Sequence, residues 1–206
     1  MRILLRNRAA VAAVLLGVPG VTGSAVGQLG NDAVSVSAVS SLSRVYRGEQ
    51  IAVAVIMEHS AGYHTWPSEA QDVLPGEIAK FAIRTELVVG AMPAGASIDN
   101  AEPIRGVLPA AIGMVGPIQW PEPFPALVAD PSGGRESVEV PTYQDRAVVY
   151  VPMIVSDDAA LGAFDLEMTL YFQACDESVC LIPEVVSMSV RIEVVATGTA
   201  RGGGGG

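Results

Sequence analysis

Along most of the chain, apolar and polar residues alternate with a period of two. In Phe164–Phe172, Leu166, Met168, Leu170 and Phe172 alternate with Asp165, Glu167, Thr169 and Tyr171. In Val186–Val195, Met188, Val190, Ile192 and Val194 alternate with Ser187, Ser189, Arg191 and Glu193. Successive strand residues point to opposite faces, so each segment predicts one face in a core and the other in water. Similar runs occupy Val34–Val39, Gln50–Met57, Ala79–Val89 and Arg146–Val155. Turn signals separate them: P-G at Pro75, P-A-G at Pro93 and P-S-G-G at Pro131. No stretch keeps a helical period over three turns, and there is no internal repeat. About seven short strands in about 150 residues, patterned on one side, predict an all-β, immunoglobulin-like antiparallel β-sandwich.

The stretch from Gly90 to Tyr143 departs from this pattern. It is rich in Pro and Gly, and we read it as a long loop region, which in a compact domain is more often functional than idle. It holds W-P-E-P-F-P at Trp120–Pro125, whose fixed proline torsions could present Trp120 and Phe124 at the surface. The same two aromatics could instead plug the end of the sandwich.

Composition adds a compartment. Arg2, Arg6 and Arg8 precede an apolar run from Ala9 to Val18, and small residues follow up to Gly27. That order is expected of a signal peptide over residues 1–27, cleaved near Gly27. About ten apolar residues are too few to span a bilayer, and no later segment reaches about 20, so no membrane span is expected in the mature chain. Losing residues 1–27 removes three arginines and no acids, taking the formal charge from −10 to −13. So acidic a protein is not expected to bind nucleic acid, which calls for clustered Lys and Arg. Residues 199–206, ending in five glycines, read as a flexible tail. There is no G-x-S-x-G and no H-E-x-x-H, so ordinary hydrolase chemistry finds no support.

The chain has two cysteines, Cys175 and Cys180, in Y-F-Q-A-C-D-E-S-V-C-L-I-P-E. Three uses compete. As a structural disulfide they would close a ring of about six residues, worth only about 2 kcal/mol by loop entropy. As metal ligands they would need a third donor, and His59 and His64 are the imidazoles on offer, with His64 in G-Y-H-T-W-P the better placed. As an exposed redox pair they would be open to a partner's thiolate.

The Tyr171–Glu184 segment resembles the redox segment of the periplasmic N-terminal domain of the thiol:disulfide interchange protein DsbD. In that family a comparable cysteine pair is followed closely by Pro-Glu. Other pieces are similar in the same order: A-G-Y-H-T-W at Ala61, G-P-I-Q-W-P-E-P at Gly116, and Y-Q-D-R at Tyr143, which resembles the turn entering the strand before the redox hairpin. The similarity runs from about Val34 to Val195 and makes residues 28–198 one domain. In the full-length family member this domain precedes a membrane electron carrier and a thioredoxin-like domain, neither of which is expected from this sequence, so electrons are expected to come from a separate protein.

The resemblance implies a periplasmic or otherwise secreted domain whose cysteine pair cycles between dithiol and disulfide. It would exchange electrons with thioredoxin-like redox proteins or disulfide isomerases, without a bound cofactor or metal. By analogy Cys180 attacks and Cys175 resolves, and a cap loop covers the pair; Pro121–Val140 is the candidate cap, with Phe124 its shield. Tyr63, Trp66 and Tyr143 could wall the pair from small oxidants. Asp176, Glu177 and Glu184 surround it with negative charge, which disfavours a thiolate until a partner docks. The rival readings are a non-catalytic binding module with a passive disulfide, and a metal carrier using the cysteines with His64.

Overall fold

The structure, a computed structural model, describes residues 32–96, 98, 104–129 and 137–196. The expected signal peptide and the glycine tail lie outside the described residues, as does the turn at Pro131.

The alternating segments become the strands of two facing sheets. The first sheet has the order β1-β3-β9-β6: β1 (Val34–Ser40), β3 (Gln50–His59), β9 (Arg146–Val155) and β6 (Ile112–Met114). The second has the order β2-β12-β10-β5: β2 (Arg44–Val45), β12 (Glu184–Val194), β10 (Gly162–Phe172) and β5 (Glu86–Val89). All pairings are antiparallel except the short β2–β12 contact. The inward residues read from the sequence are the buried ones. Leu166, Met168, Leu170 and Phe172 meet Met188, Val190, Ile192 and Val194, together with Val53, Val55, Val149 and Val151 of the opposite sheet. The expected all-β sandwich is the fold.

A third sheet, in the order β11-β4-β8-β7, closes one end: β11 (Ala174–Cys175), β4 (His64–Thr65), β8 (Ser137–Gln144) and β7 (Phe124–Ala129). It is built from strands that leave the sandwich. The β3–β9 ladder ends at Glu58↔Arg146 and resumes beyond a corner as the β4–β8 ladder at His64↔Gln144. Asp145 turns that corner at φ 51°, a left-handed conformation that Asp tolerates, and its carbonyl accepts the His59 amide at 2.7 Å. On the other sheet, β10 runs out at Phe172 and continues after one residue as β11, which pairs with β4.

Two expectations need correction. The Gly90–Tyr143 stretch is not one long loop, because β6, β7 and most of β8 fall within it. Its prolines hid the hairpin. Pro125 and Pro141 face each other across β7 and β8, an arrangement that suits a pair with no ladder hydrogen bonds between its members, where neither ring removes a needed donor. Ala79–Val89 is a strand only from Glu86; before it lie two short helical segments, α1 (Ala70–Val73) and α2 (Gly76–Ala79). Ala70, Leu74, Ile78 and Ala82 recur every four residues and are all buried, in a second apolar cluster with Trp66, Val128, Val140 and Cys175.

Core burial predicts the energetics. Leu170, fully buried between the sheets, loses about 2–5 kcal/mol of stability as Leu170→Ala in urea unfolding. Ile182→Ala, at a position 86 % exposed, changes the same measurement by no more than about 0.5 kcal/mol.

Candidate functional site

Cys175 and Cys180 are joined in a disulfide. They face each other across a tight antiparallel hairpin with a Cα–Cα distance of 3.9 Å. Backbone bonds close the hairpin on both sides of the pair: Asp176 N–H to Val179 O at 2.9 Å, and Leu181 N–H to Ala174 O at 2.8 Å. At the tip, Asp176 Oδ1 accepts the amides of Ser178 at 2.7 Å and Val179 at 2.8 Å. Those two bonds hold the Asp176 carboxyl below the usual range, so it is ionised at neutral pH.

The two sulfur-bearing residues differ in exposure. Cys175 is 1 % exposed and belongs to the second apolar cluster, whereas Cys180 is exposed. A cavity of about 320 Å³ opens beside them. Trp66, Ile78, Phe81 and Val128 give it an apolar wall, and Asp176 and Glu177 an acidic rim. Phe81 and Val179, both lining it, are 68 % and 58 % exposed. The end of β7 leans over the hairpin, with Ala129 N–H donating to Glu177 O at 3.2 Å.

The other residues singled out in the sequence divide. Trp66 lines the cavity, 4 % exposed, as do Asp176 and Glu177. Tyr63 and Tyr143 instead pack against the main core. Tyr143 is fully buried and stacks on Trp120 with ring centroids 6.1 Å apart, and burial pushes its phenol pKa up. Trp120 thus packs on the sandwich end, while Phe124, its companion in W-P-E-P-F-P, is 58 % exposed. Phe124 opens β7 opposite Thr142, at the other end of that strand from Val128 and Ala129, and does not line the cavity. Within Pro121–Val140, Val128 and Ala129 reach the pair. Glu184 opens β12 opposite Phe172, away from the cavity.

His64 is brought to the disulfide and was weighed in the sequence only as a metal ligand. It sits opposite Cys175 across β4 and β11, is 4 % exposed, and meets Trp66 edge-on with ring centroids 5.3 Å apart. Among the described residues nothing hydrogen-bonds its Nε2. Burial, aided by the nearby His59 and opposed by Asp176, lowers its pKa to about 4. No group of three or more His, Cys, Asp or Glu among the described residues is placed to hold a metal ion. The four-residue spacing of Ala70, Leu74, Ile78 and Ala82 was the readable signal for the second cluster, from which Ile78 lines the cavity.

No family model matches the chain, and no curated protein does. Among solved structures it is similar to the N-terminal periplasmic domain of ScsB from Proteus mirabilis, with 16 % identity and a TM-score of 0.46, over 82 % of this chain and 51 % of that one. It is also similar to a family 123 glycoside hydrolase from Clostridium perfringens, with 10 % identity and a TM-score of 0.33, over 75 % of this chain and 22 % of that one. The chain therefore spans about half the length of the first and under a quarter of the second. At these scores neither likeness bears on function. No helix among the described residues is long and apolar enough to cross a membrane.

The buried imidazole makes stability depend on pH. His64 stays neutral in the fold down to about pH 4 but takes up a proton near pH 6.5 once unfolded. Its stabilising contribution is therefore complete above about pH 6.5 and is lost as the pH falls toward about 4. The unfolding free energy should drop by about 2–3 kcal/mol between pH 7 and pH 4.5 on account of His64. Burial lowers the His59 pKa as well, which adds in the same direction. Asp176 contributes only lower on the scale, below its ordinary pKa of 3.8. A urea midpoint that stays flat from pH 7 to 4.5 would contradict this assignment.

Proposed function

We propose that the chain is an exported thiol:disulfide exchange domain, passing reducing equivalents to or from thioredoxin-fold proteins in an oxidising compartment. The observation that carries the reading is the asymmetry of the disulfide: an exposed Cys180 at the mouth of an apolar cavity, bonded to a buried Cys175. Thiol–disulfide exchange depends on which sulfur a thiolate can reach. Here an external thiolate meets Cys180 Sγ first. Its attack forms a bond to Cys180, breaks the Cys175–Cys180 bond and leaves the electron pair on Cys175 Sγ, which takes up a proton. The partner's second thiolate then attacks the partner's own sulfur, closing the partner disulfide and releasing Cys180, which takes up a proton in turn. In the other direction, the Cys180 thiolate attacks a partner disulfide, and Cys175 attacks Cys180 Sγ to release the reduced partner. Each direction moves two electrons between one dithiol and one disulfide, so no further oxidant or reductant is required.

Three local features support this assignment of roles. The hairpin is already closed by backbone bonds, so opening the disulfide leaves its frame in place. The exposed Phe81 and Val179 supply apolar area for a docking surface. The ionised Asp176 next to the pair, with Glu177 beside it on the rim, disfavours a free thiolate and keeps the dithiol slow toward small oxidants. The Cys-x4-Cys-x2-Pro-Glu order, resembling the DsbD N-terminal domain, agrees with the same roles.

A trapping experiment tests it. Cys175→Ala leaves the exposed thiol without its resolving partner, and should accumulate a stable mixed disulfide with an oxidised thioredoxin-fold protein, seen by non-reducing electrophoresis. Cys180→Ala, with its thiol buried, should form at least about tenfold less. Equal trapping by both variants, or none by either, would overturn the assignment.

A further inference from the structure

We infer that His64 Nε2 accepts a hydrogen bond from the Cys175 thiol in the dithiol state alone, so that His64 is a positioning residue that favours the reduced form of the pair. This rests on the redox reading above. His64 and Cys175 are direct partners across β4 and β11. Directly opposed residues of an antiparallel pair project to the same face, with Cβ atoms about 5 Å apart. Both side chains are all but excluded from solvent, at 4 % and 1 % exposure, and both line the same cavity.

In the disulfide state His64 Nε2 has no hydrogen-bond partner among the described residues. Trp66 Nε1, the other unpartnered buried nitrogen at the cavity, belongs to a ring that meets His64 edge-on with centroids 5.3 Å apart. A disulfide sulfur has no proton to donate, whereas a thiol has one. An unmade bond at a buried polar atom costs more than a made one returns, so a change that supplies the missing donor is favoured. Reduction by an external dithiol breaks the Cys175–Cys180 bond, forms a disulfide in the reductant, and delivers two electrons and two protons. One proton goes to each sulfur. The proton on Cys175 Sγ lies on the face of the sheet where Nε2 waits. The same bond holds Cys175 as a neutral thiol, so that deprotonation on meeting a partner falls to the exposed Cys180.

The test is the dithiol–disulfide equilibrium of the full chain in a dithiothreitol redox series, read by acid quench and alkylation. Relative to wild type, His64→Leu should shift the equilibrium about fivefold toward the disulfide, or about 20 mV at about 30 mV per tenfold. His64→Gln, whose amide oxygen can accept the same bond, should recover part of that shift. A His64→Leu equilibrium equal to wild type would overturn the inference while leaving the redox reading intact. A wild-type disulfide that the series cannot open would overturn the redox reading itself, and this inference with it. A measurement on wild type covers the case in which the variants do not fold. The nitrogen-15 resonance of His64 Nε2 should move upfield on reduction, and an unmoved resonance would overturn the bond.

Discussion

Antiparallel pairing of β10 with β12, from Gly162↔Val194 to Phe172↔Glu184, is the contact on which the site depends. It fixes the inward register of Leu166, Met168, Leu170 and Phe172. The same two-residue period carries on to Ala174, which is also in the core, although by then the chain has left the sandwich and pairs with β4. A shift of one residue in β10 would turn its whole apolar set outward. Cys175, one residue beyond Ala174, faces the other way and is buried in the second apolar cluster with Trp66, Ile78, Val128 and Val140. Cys180, across the hairpin, lies outside that cluster and is exposed.

This placement separates the stability of the fold from the chemistry of the pair. A single buried Leu or Val contributes about 1.5–3 kcal/mol by removal from water, and the main cluster holds many of them. A ring of about six residues is worth about 2 kcal/mol, and its hairpin is held by backbone bonds on both flanks. The sandwich does not need the disulfide in order to stand. What the sandwich supplies is a stiff end, built from extensions of both sheets, that offers one sulfur to solvent and buries the other against His64 and Trp66.

Much of this was legible in the sequence, and the failures have physical causes. Strands that are half buried announce themselves by alternation, so β10, β12, β9, β3 and β1 were found within a few residues of their ends. Strands carrying Pro at positions that need no donor do not, and β7 and β8 were lost to Pro125 and Pro141. The two helical segments are four residues each and escape a search for three turns, yet Ala70, Leu74, Ile78 and Ala82 keep a four-residue spacing across both. The cysteine pair was legible from its spacing and its neighbours. Among its partners, Trp66 and His64 were named in the sequence and Val128 falls within Pro121–Val140, whereas Ile78 and Phe81, from around α2, were missed because the chain there was read as a turn at Pro75 and a strand from Ala79. Tyr63 and Tyr143 are near in pattern but pack against the main core, and Phe124, at the other end of β7 from Val128, is exposed to solvent.

The central claim is that the Cys175–Cys180 bond is one that partners open and close. Its reduction potential in the purified chain, equilibrated against glutathione, tests this most directly. The account predicts a value above about −270 mV, in the range of proteins that exchange dithiols. A value below about −300 mV would mark a structural bridge and contradict it.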